Sequence, residues 1–577
     1  MSRAQWLGIA IVALLFGAGL PWGLPSAQRA AIITLGARSD SLALQVDASA
    51  REYFELREAA EARGVEDLEA GRPLSGYMPP RLPSKFSNAD KLAVVRRYAA
   101  ASACADERQA YVALARVKPR QGDFDLRGVP YGGAMLYPLG ITLFLLRSAG
   151  LLDVSPQVSS YLADPTPLRR MYEVGRLFAF LPFLGVLVLL AAFGTALGRR
   201  RAGSIAMIIW TLSSLPQNHA LLTKPHMWAT FWVLLGVYAL YTMRGAATDP
   251  GRSTSDSHRS SRVVLAGVSF GLAVGAAVLT VGIGALLLGL AVSGWTSRRA
   301  ALLCAAIATI TALLVNPYVL LAPGRAFVTT LHFASDYHLT ASPVGKLLRG
   351  GYEMLVRGFA FPFGLVGLIA IAAQLRRGDA FQRPLAIAWL LCFLEVALVS
   401  GEMRYALFVA PFLCLGAGRV VDEVLAVTAR RIAPLAWTAF LLLLVPGAVF
   451  TALFVRSVVD SESWHAPLVR WLEEAPLARA AEVAVLDNPE PENLPPLPVL
   501  QANLVGFDPL HPPEQLPELV LVGGAWPQEQ AWSHSPVRER YALERVFDLG
   551  PLQQWALALR MRSSSHAAAR VYRLRAP

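Results

Sequence analysis

The chain has 577 residues, of which 54% are hydrophobic and only 16% charged, with a mean hydropathy of +0.43. That is too apolar for a soluble protein of this length and indicates a polytopic membrane protein. The formal net charge is +12, but the arginines cluster between apolar runs, where they read as topology signals and not as a nucleic-acid surface.

The first apolar run, Trp6 to Leu24, follows Arg3. It is long for the core of a cleaved leader, and Gly23-Leu24-Pro25-Ser26-Ala27 is a poor cleavage site, so it is expected to be a first membrane helix with a cytoplasmic N-terminus. A polar region runs from Ser26 to Pro130. Within it, Asp47 to Glu69 suits a solvated helix, and Gly71 to Ser87, with Pro73, Pro79, Pro80 and Pro83, reads as loop. Asn88 to Val117 is helical in pattern, with Asp106 and Glu107 in this helix or at a bend in it.

Tyr131 to Leu152 is apolar but interrupted by Pro138 and Gly140 and carries Arg147. It either spans or lies along the interface. Uncharged runs follow at 177–198, 202–222 and 225–243, and further apolar spans at 300–321, 358–373, 384–400, 405–421 and 434–455. The run from Val263 to Thr296 is too long for one span, and its glycines allow a hairpin. Arg199-Arg200-Arg201, Arg244 to Arg262, Arg298-Arg299, Arg376-Arg377 with Arg383, and Arg430-Arg431 satisfy the positive-inside rule together only if 131–152 does not cross. The expected fold is therefore an α-helical polytopic membrane protein with about eleven transmembrane helices. Loop 25–176, the turns at 213–226 and 401–404, the loop at 322–356 and the C-terminal tail are then expected on the extracytoplasmic side.

The tail, 456–577, is less apolar and rich in proline. A helix is expected at Trp464 to Glu474, and strands at Val483 to Leu486, Leu519 to Val522 and Val571 to Leu574, forming a small extracytoplasmic α/β domain. The domain boundaries are thus 1–455 for the transmembrane part and 456–577 for the tail. No internal repeat is evident. The four cysteines, Cys104, Cys304, Cys392 and Cys414, form neither a disulfide framework nor a metal-ligand spacing.

Four polar clusters fall on the outer side. Asp106-Glu107 offers a carboxylate able to act as general base toward an acceptor hydroxyl, or is an ordinary charged helix face. His219 with Lys224-Pro225-His226 offers a cation for a phosphate, or an anchor snorkelling to the interface. Glu402-Met403-Arg404-Tyr405 offers a bidentate phosphate clamp at Arg404, or a helix-end anchor; Glu395, an acid inside an apolar run, is a structural partner for it. Asn316-Pro317-Tyr318 through Arg325, His332, Asp336 and His338 matches no trusted metal signature and reads as a solvated loop.

Asp106-Glu107, then Asp123-Phe124-Asp125 and Tyr131-Gly132-Gly133 with Tyr137-Pro138, resembles the first outer loop of the GT-C membrane glycosyltransferases, which include the protein O-mannosyltransferases and the aminoarabinose transferases. Tyr172-Glu173-Val174-Gly175-Arg176 at the second span, Asn316-Pro317-Tyr318 and Arg404-Tyr405 resemble later features of that family in the same order, so the likeness of layout covers residues 1 to about 455. Two features depart from it. The turn before the fourth span reads Lys224-Pro225-His226 where many relatives carry an acid after the proline, and Asp106 lies far from the first span, with Asp40 closer.

The resemblance implies a plasma-membrane enzyme that takes a sugar from a polyprenyl phosphate and transfers it, with inversion, to a lipid, glycan or protein acceptor on the extracytoplasmic side. It implies Asp106 as base, with Asp40 the runner-up, and Glu107 as orienter. Lys224, His226 and Arg404 would hold the phosphate, and Tyr131 and Tyr405 would contact substrate. No cofactor is implied with certainty, and a divalent cation is left open. The alternative is a multi-span transporter or lipid flippase, which would show paired inverted halves and polar groups at the membrane midplane.

Overall fold

The computed structural model describes the chain apart from residues 35–38, 71–81, 127–130, 249–255, 278–296, 325–341, 353–354, 356–357, 360–362, 378–382, 384–385, 388, 392, 395–406, 461–462, 464, 475–481, 490, 492–493, 524–525, 549, 551, 554–567 and 576–577. The principal helices are α1 (Arg3–Gly17), α2 (Ala27–Thr34), α3 (Asp40–Glu69), α4 (Asn88–Ala100), α5 (Ala105–Arg116), α6 (Gly133–Ser148), α7 (Thr166–Ala196) and α8 (Arg200–Leu212). They continue as α9 (Pro225–Thr248), α10 (Asp256–Ala276), α11 (Arg298–Val315), α12 (Phe363–Arg377), α13 (Ala410–Val459), α14 (His465–Glu474) and α15 (Trp526–Ser533). The strands are β1 (Glu482–Val485), β2 (Asn503–Gly506), β3 (Leu519–Gly523), β4 (Tyr541–Asp548) and β5 (Ala568–Leu574). The chain forms two compact units, one of residues 1–17, 112–142 and 175–451, the other of residues 18–111, 143–174 and 452–577.

The first unit is helical. Among the described residues of the chain, three helices are long and apolar enough to cross a membrane: Thr166–Ala196, Arg298–Val315 and Trp437–Ser457. Leu302, Leu303, Ile310 and Leu314 of α11 are exposed, and only 6% of that span is buried in the protein. Such a surface is stable against lipid, where the helix satisfies its own backbone groups. On its inner side, α11 lies close to α10 because Gly267 and Gly271 meet Ile307 and Thr311 without an intervening side chain. Arg199 pairs with Glu423 at 3.1 Å and Arg201 with Asp422 at 3.7 Å, which places the 199–201 arginines and the acids of α13 at one end of the unit.

Two local expectations differ from what is observed. The expected span at 202–222 stops at Ser213, whose extended backbone separates α8 from a short helix, Ser214–Ala220. The turn expected at Arg430-Arg431 is continuous helix, since α13 runs for 50 residues with Pro434 and Pro446 inside it. The residues around Arg430 contain no glycine, and a proline within a helix bends it more readily than it ends it. The second leg of the hairpin expected in 263–296 and the span expected at 384–400 lie largely outside the described residues.

The second unit is built on a five-stranded sheet of order β2-β1-β3-β5-β4. β1 pairs in parallel with β2 and β3, while β5 is antiparallel to β3 and β4. Side chains alternate across it. Val483, Val485, Leu504, Leu519, Leu521 and Val571 pack on one face with Ile33 of α2, Leu42 and Val46 of α3, Val94, Val95 and Tyr98 of α4, and Leu468 and Leu472 of α14. Ala484, Val505, Val520, Val522 and Tyr572 face the other way, against Trp532 of α15. The tail is thus an α/β layer structure as expected, with β2 and β4 added to the three anticipated strands, and three of these five covering helices, α2, α3 and α4, come from residues 27–100.

Candidate functional site

Asp106 and Glu107 stand in the first turn of α5, where acids complement the positive end of the helix. A break precedes them: α4 stops at Ala100, Ala101 is extended, and the stretch 101–104 between the two helices is not helical. Buried Arg29 fixes that stretch by donating to the carbonyls of Ala101 (2.9 Å) and Gly23 (3.1 Å), and the Ala103 amide donates to Gly23 at 2.7 Å. The Tyr172 hydroxyl donates to the Ala100 carbonyl at 2.9 Å, and its ring meets Tyr111 edge-on at 4.5 Å.

The two carboxylates differ sharply in setting. Glu107 is fully buried and accepts a hydrogen bond from the Ser102 hydroxyl at 2.6 Å. Asp106 is only partly buried. A buried, hydrogen-bonded carboxylate holds geometry, while a partly exposed one is able to meet a substrate. Asp40, at the start of α3, is exposed.

In the other unit, Tyr131 is buried and forms a bridge with Ala277, and the Gly132 amide donates to Ala276 at 2.9 Å. A Cβ at Gly132 would collide with the Gly275 carbonyl, and one at Gly133 with the Val315 carbonyl, which explains why two glycines follow Tyr131. Asn316 joins these segments: its Oδ1 accepts from the Gly133 amide at 2.7 Å and its Nδ2 donates to the Gly275 carbonyl at 3.0 Å. The Phe124 backbone is clamped by two tyrosines. Its amide donates to the Tyr318 hydroxyl at 2.8 Å, and its carbonyl accepts from the Tyr137 hydroxyl at 2.8 Å. Burial, with Tyr318, Asp125 and Asp123 nearby, pushes the Tyr137 hydroxyl up to about 12.

Lys224 and His226 flank the N-terminus of α9 and are only 6% and 8% exposed. The His226 ring meets that of His219 edge-on at 4.8 Å. Lys224 is therefore held inside the protein, not extended toward an interface. Arg176 is fully buried.

Of the residues expected to act, Asp106 and Glu107 lie together in one unit, and Tyr131, Lys224 and His226 lie in the other. Arg404, Tyr405, Glu395, Glu402, His332, Asp336 and His338 lie outside the described residues. Among the described residues, no group of three or more His, Cys, Asp or Glu side chains is arranged to hold a metal ion. The loop taken as solvated proves structural at its front, since Tyr318 holds Phe124 and Asn316 holds Gly133. Sequence reasoning gave Ser102 and Arg29 no role; their only signal is proximity to the carboxylate pair or to Pro25.

No family model matches the chain, and no curated protein matches it. Among solved structures it is similar to ArnT from Cupriavidus metallidurans bound to undecaprenyl phosphate, at 13% identity and a TM-score of 0.42, covering 81% of this chain and 93% of that one. The apo form of the same protein gives 14% identity and a TM-score of 0.41, with the same coverage of 81% and 93%. The Archaeoglobus fulgidus oligosaccharyltransferase in complex with Zn and sulfate gives 15% identity and a TM-score of 0.36, covering 60% of this chain and 47% of that one. The chain thus spans about half the length of the archaeal enzyme. No family and no residue's role follows from likeness of this order.

Proposed function

We propose that this protein is a membrane glycosyltransferase that moves a sugar from a polyprenyl-phosphate donor to a lipid, glycan or protein acceptor on the extracytoplasmic side. The observation that carries this reading is the divided carboxylate pair at the front of α5: Asp106 partly open, Glu107 buried and held by Ser102 at 2.6 Å. A base next to a fixed acidic orienter suits proton removal from an acceptor hydroxyl.

In the proposed reaction Asp106 takes the proton as the acceptor oxygen attacks the anomeric carbon. The bond from that carbon to the phosphate oxygen breaks, and the polyprenyl phosphate leaves with the electron pair. Single displacement inverts the anomeric configuration. A phosphate is already a good leaving group, so the remaining need is positive charge on it, for which Lys224, His226 and Arg404 are the proposed holders. Tyr131 and Tyr405 are proposed as substrate contacts, Tyr131 through the turn that it fixes. The enzyme is proposed to lie in the plasma membrane with its N-terminus cytoplasmic and its C-terminus outside, in domains 1–455 and 456–577.

The test is sugar transfer from a radiolabelled polyprenyl-phosphate sugar to envelope acceptors, using membranes containing the wild type, Asp106→Asn or Asp40→Asn. Loss of a positioned base costs about 10²–10⁴ in rate. Transfer should collapse in Asp106→Asn alone. Collapse in Asp40→Asn with Asp106→Asn intact would move the base, and full transfer in both would remove the mechanism.

A further inference from the structure

Three helices of the second unit bring arginines around one tyrosine. Tyr53 and Arg57 come from α3, Arg96 from α4, and Arg108 from α5. The Arg96 guanidinium carbon lies 4.1 Å from the centre of the Tyr53 ring. Arg57 donates to the Tyr53 hydroxyl at 3.2 Å and, through its other terminal nitrogen, to Gln109 Oε1 at 3.1 Å. Arg96 Nε is buried and, among the described residues, has no hydrogen-bond partner. A buried guanidinium donor left in that state is costly unless something accepts from it.

Charges of both signs act on this pair. Burial first, then Arg97 and Arg108, pushes Arg96 down to about 10, against support chiefly from Tyr53 and less from Glu52. Burial alone would raise the Tyr53 hydroxyl, yet the charges of Arg57 and Arg108 and the Arg57 hydrogen bond draw it below its ordinary value. Gln109 and Tyr53 steer Arg57, and the Tyr53 ring supports Arg96 from one face, so both forks are ordered before any ligand arrives. Guanidinium forks of this kind match the paired oxygens of a phosphate.

We propose that Arg57, Arg96 and Arg108 form a phosphate subsite, and that the phosphate it takes belongs to the acceptor and not to the donor. The assignment to the acceptor rests on the glycosyltransferase reading. Arg108 follows Asp106 by two positions on α5, and side chains two apart on a helix do not share a face. A phosphate held at Arg108 is therefore displaced from the hydroxyl that Asp106 would deprotonate. A donor phosphate must instead sit at the reacting carbon, which the subsite does not serve. An acceptor with a phosphate remote from its reacting hydroxyl, on a lipid or a glycan, fits both ends.

The experiment measures binding to the purified full chain in detergent micelles and needs no turnover. The probes are glucose 1-phosphate, standing for a phosphorylated sugar acceptor, and a short polyprenyl phosphate, standing for the donor lipid. Arg96→Gln and Arg57→Gln should each weaken glucose 1-phosphate by about ten- to a hundredfold, as loss of a charge-assisted hydrogen bond does. Polyprenyl phosphate should keep its affinity in both variants and should not displace glucose 1-phosphate from the wild type. Melting temperatures of the variants identify any loss due to unfolding, and the Arg96→Lys variant, which keeps the charge without the fork, should recover only part of the affinity. No binding of glucose 1-phosphate by the wild type, or equal binding by both variants, overturns the subsite. Weakened polyprenyl phosphate instead overturns the acceptor assignment. Because binding is read directly, failure of the transferase reading would show as unchanged transfer in Asp106→Asn, separately from this result.

Discussion

The Ser102 hydroxyl donates to Glu107 Oε2 at 2.6 Å, and both groups are buried. A second donation in the same turn, from the Cys104 amide to Ser102 Oγ at 3.2 Å, locks the serine in place. The buried acid therefore fixes the first turn of α5, and the first turn of α5 fixes Asp106.

Ser102→Ala should lower stability by about 1–3 kcal/mol, because it leaves a buried carboxylate oxygen short of a donor. Glu107→Gln keeps the shape and should reduce kcat by less than the proposed base does while leaving KM nearly unchanged, as expected for a residue that orients. Steady-state kinetics of the two variants beside Asp106→Asn checks this. A Glu107→Gln loss as deep as that of Asp106→Asn would make Glu107 the base.

The approach of Gly132 to the Gly275 carbonyl gives a stability prediction. Gly132→Ala forces a methyl into backbone that has no room to yield, and overpacking of this kind costs about 1–3 kcal/mol. Asn316→Ala removes the hydrogen bonds that tie Gly133 to Gly275 and should cost a similar amount, about 1–3 kcal/mol. Thermal melts in detergent should show both lowered. An unchanged melting temperature for Gly132→Ala would mean that the two segments are not packed this closely.

Tyr137 gives a pH prediction. Its hydroxyl is pushed from 10.0 up to about 12 by burial first and by Tyr318 and two aspartates next. A raised value in the folded state means that the neutral hydroxyl is favoured there. Its contribution is complete below pH 10.0 and is lost as the pH rises toward about 12. Wild type should therefore lose stability between those values more steeply than Tyr137→Phe, which has no proton to lose. Equal slopes in alkaline melts would refute the assignment.

Much of this was legible in the sequence because it rests on local pattern. The strands at 483 and 519 and the helix at 465 follow from periodicity, whereas the break before Asp106 stood open, because Ala101-Ser102-Ala103-Cys104 carries no glycine or proline. β4, Tyr541-Ala542-Leu543-Glu544-Arg545-Val546-Phe547-Asp548, was not legible, since five consecutive residues in it are exposed and the alternation that marks a strand is missing. The packing of Tyr98 on residues 494–495, almost 400 positions away, leaves no local trace either. The Tyr53 cluster was missed for the same reason, because its arginines are ordinary helix charges until three helices bring them together.

The last prediction concerns Lys224. A lysine 6% exposed at the front of a helix is a buried cation, and a buried cation is retained where an anion or a dipole meets it. If the anion is the donor phosphate, Lys224→Met should weaken the donor, since Met keeps the length and apolar stem and removes only the charge. A charge-assisted contact contributes about 1.5–3 kcal/mol, so donor affinity should fall by about ten- to a hundredfold. His226→Gln should weaken the donor less, because an imidazole offers fewer donors than an ammonium group. Arg404→Ala, at the other proposed holder, should act like Lys224→Met. Titration of the purified variants with polyprenyl phosphate reads all three. Unchanged affinity in Lys224→Met with a lowered melting temperature would make Lys224 a structural cation and leave the phosphate to His226 and Arg404.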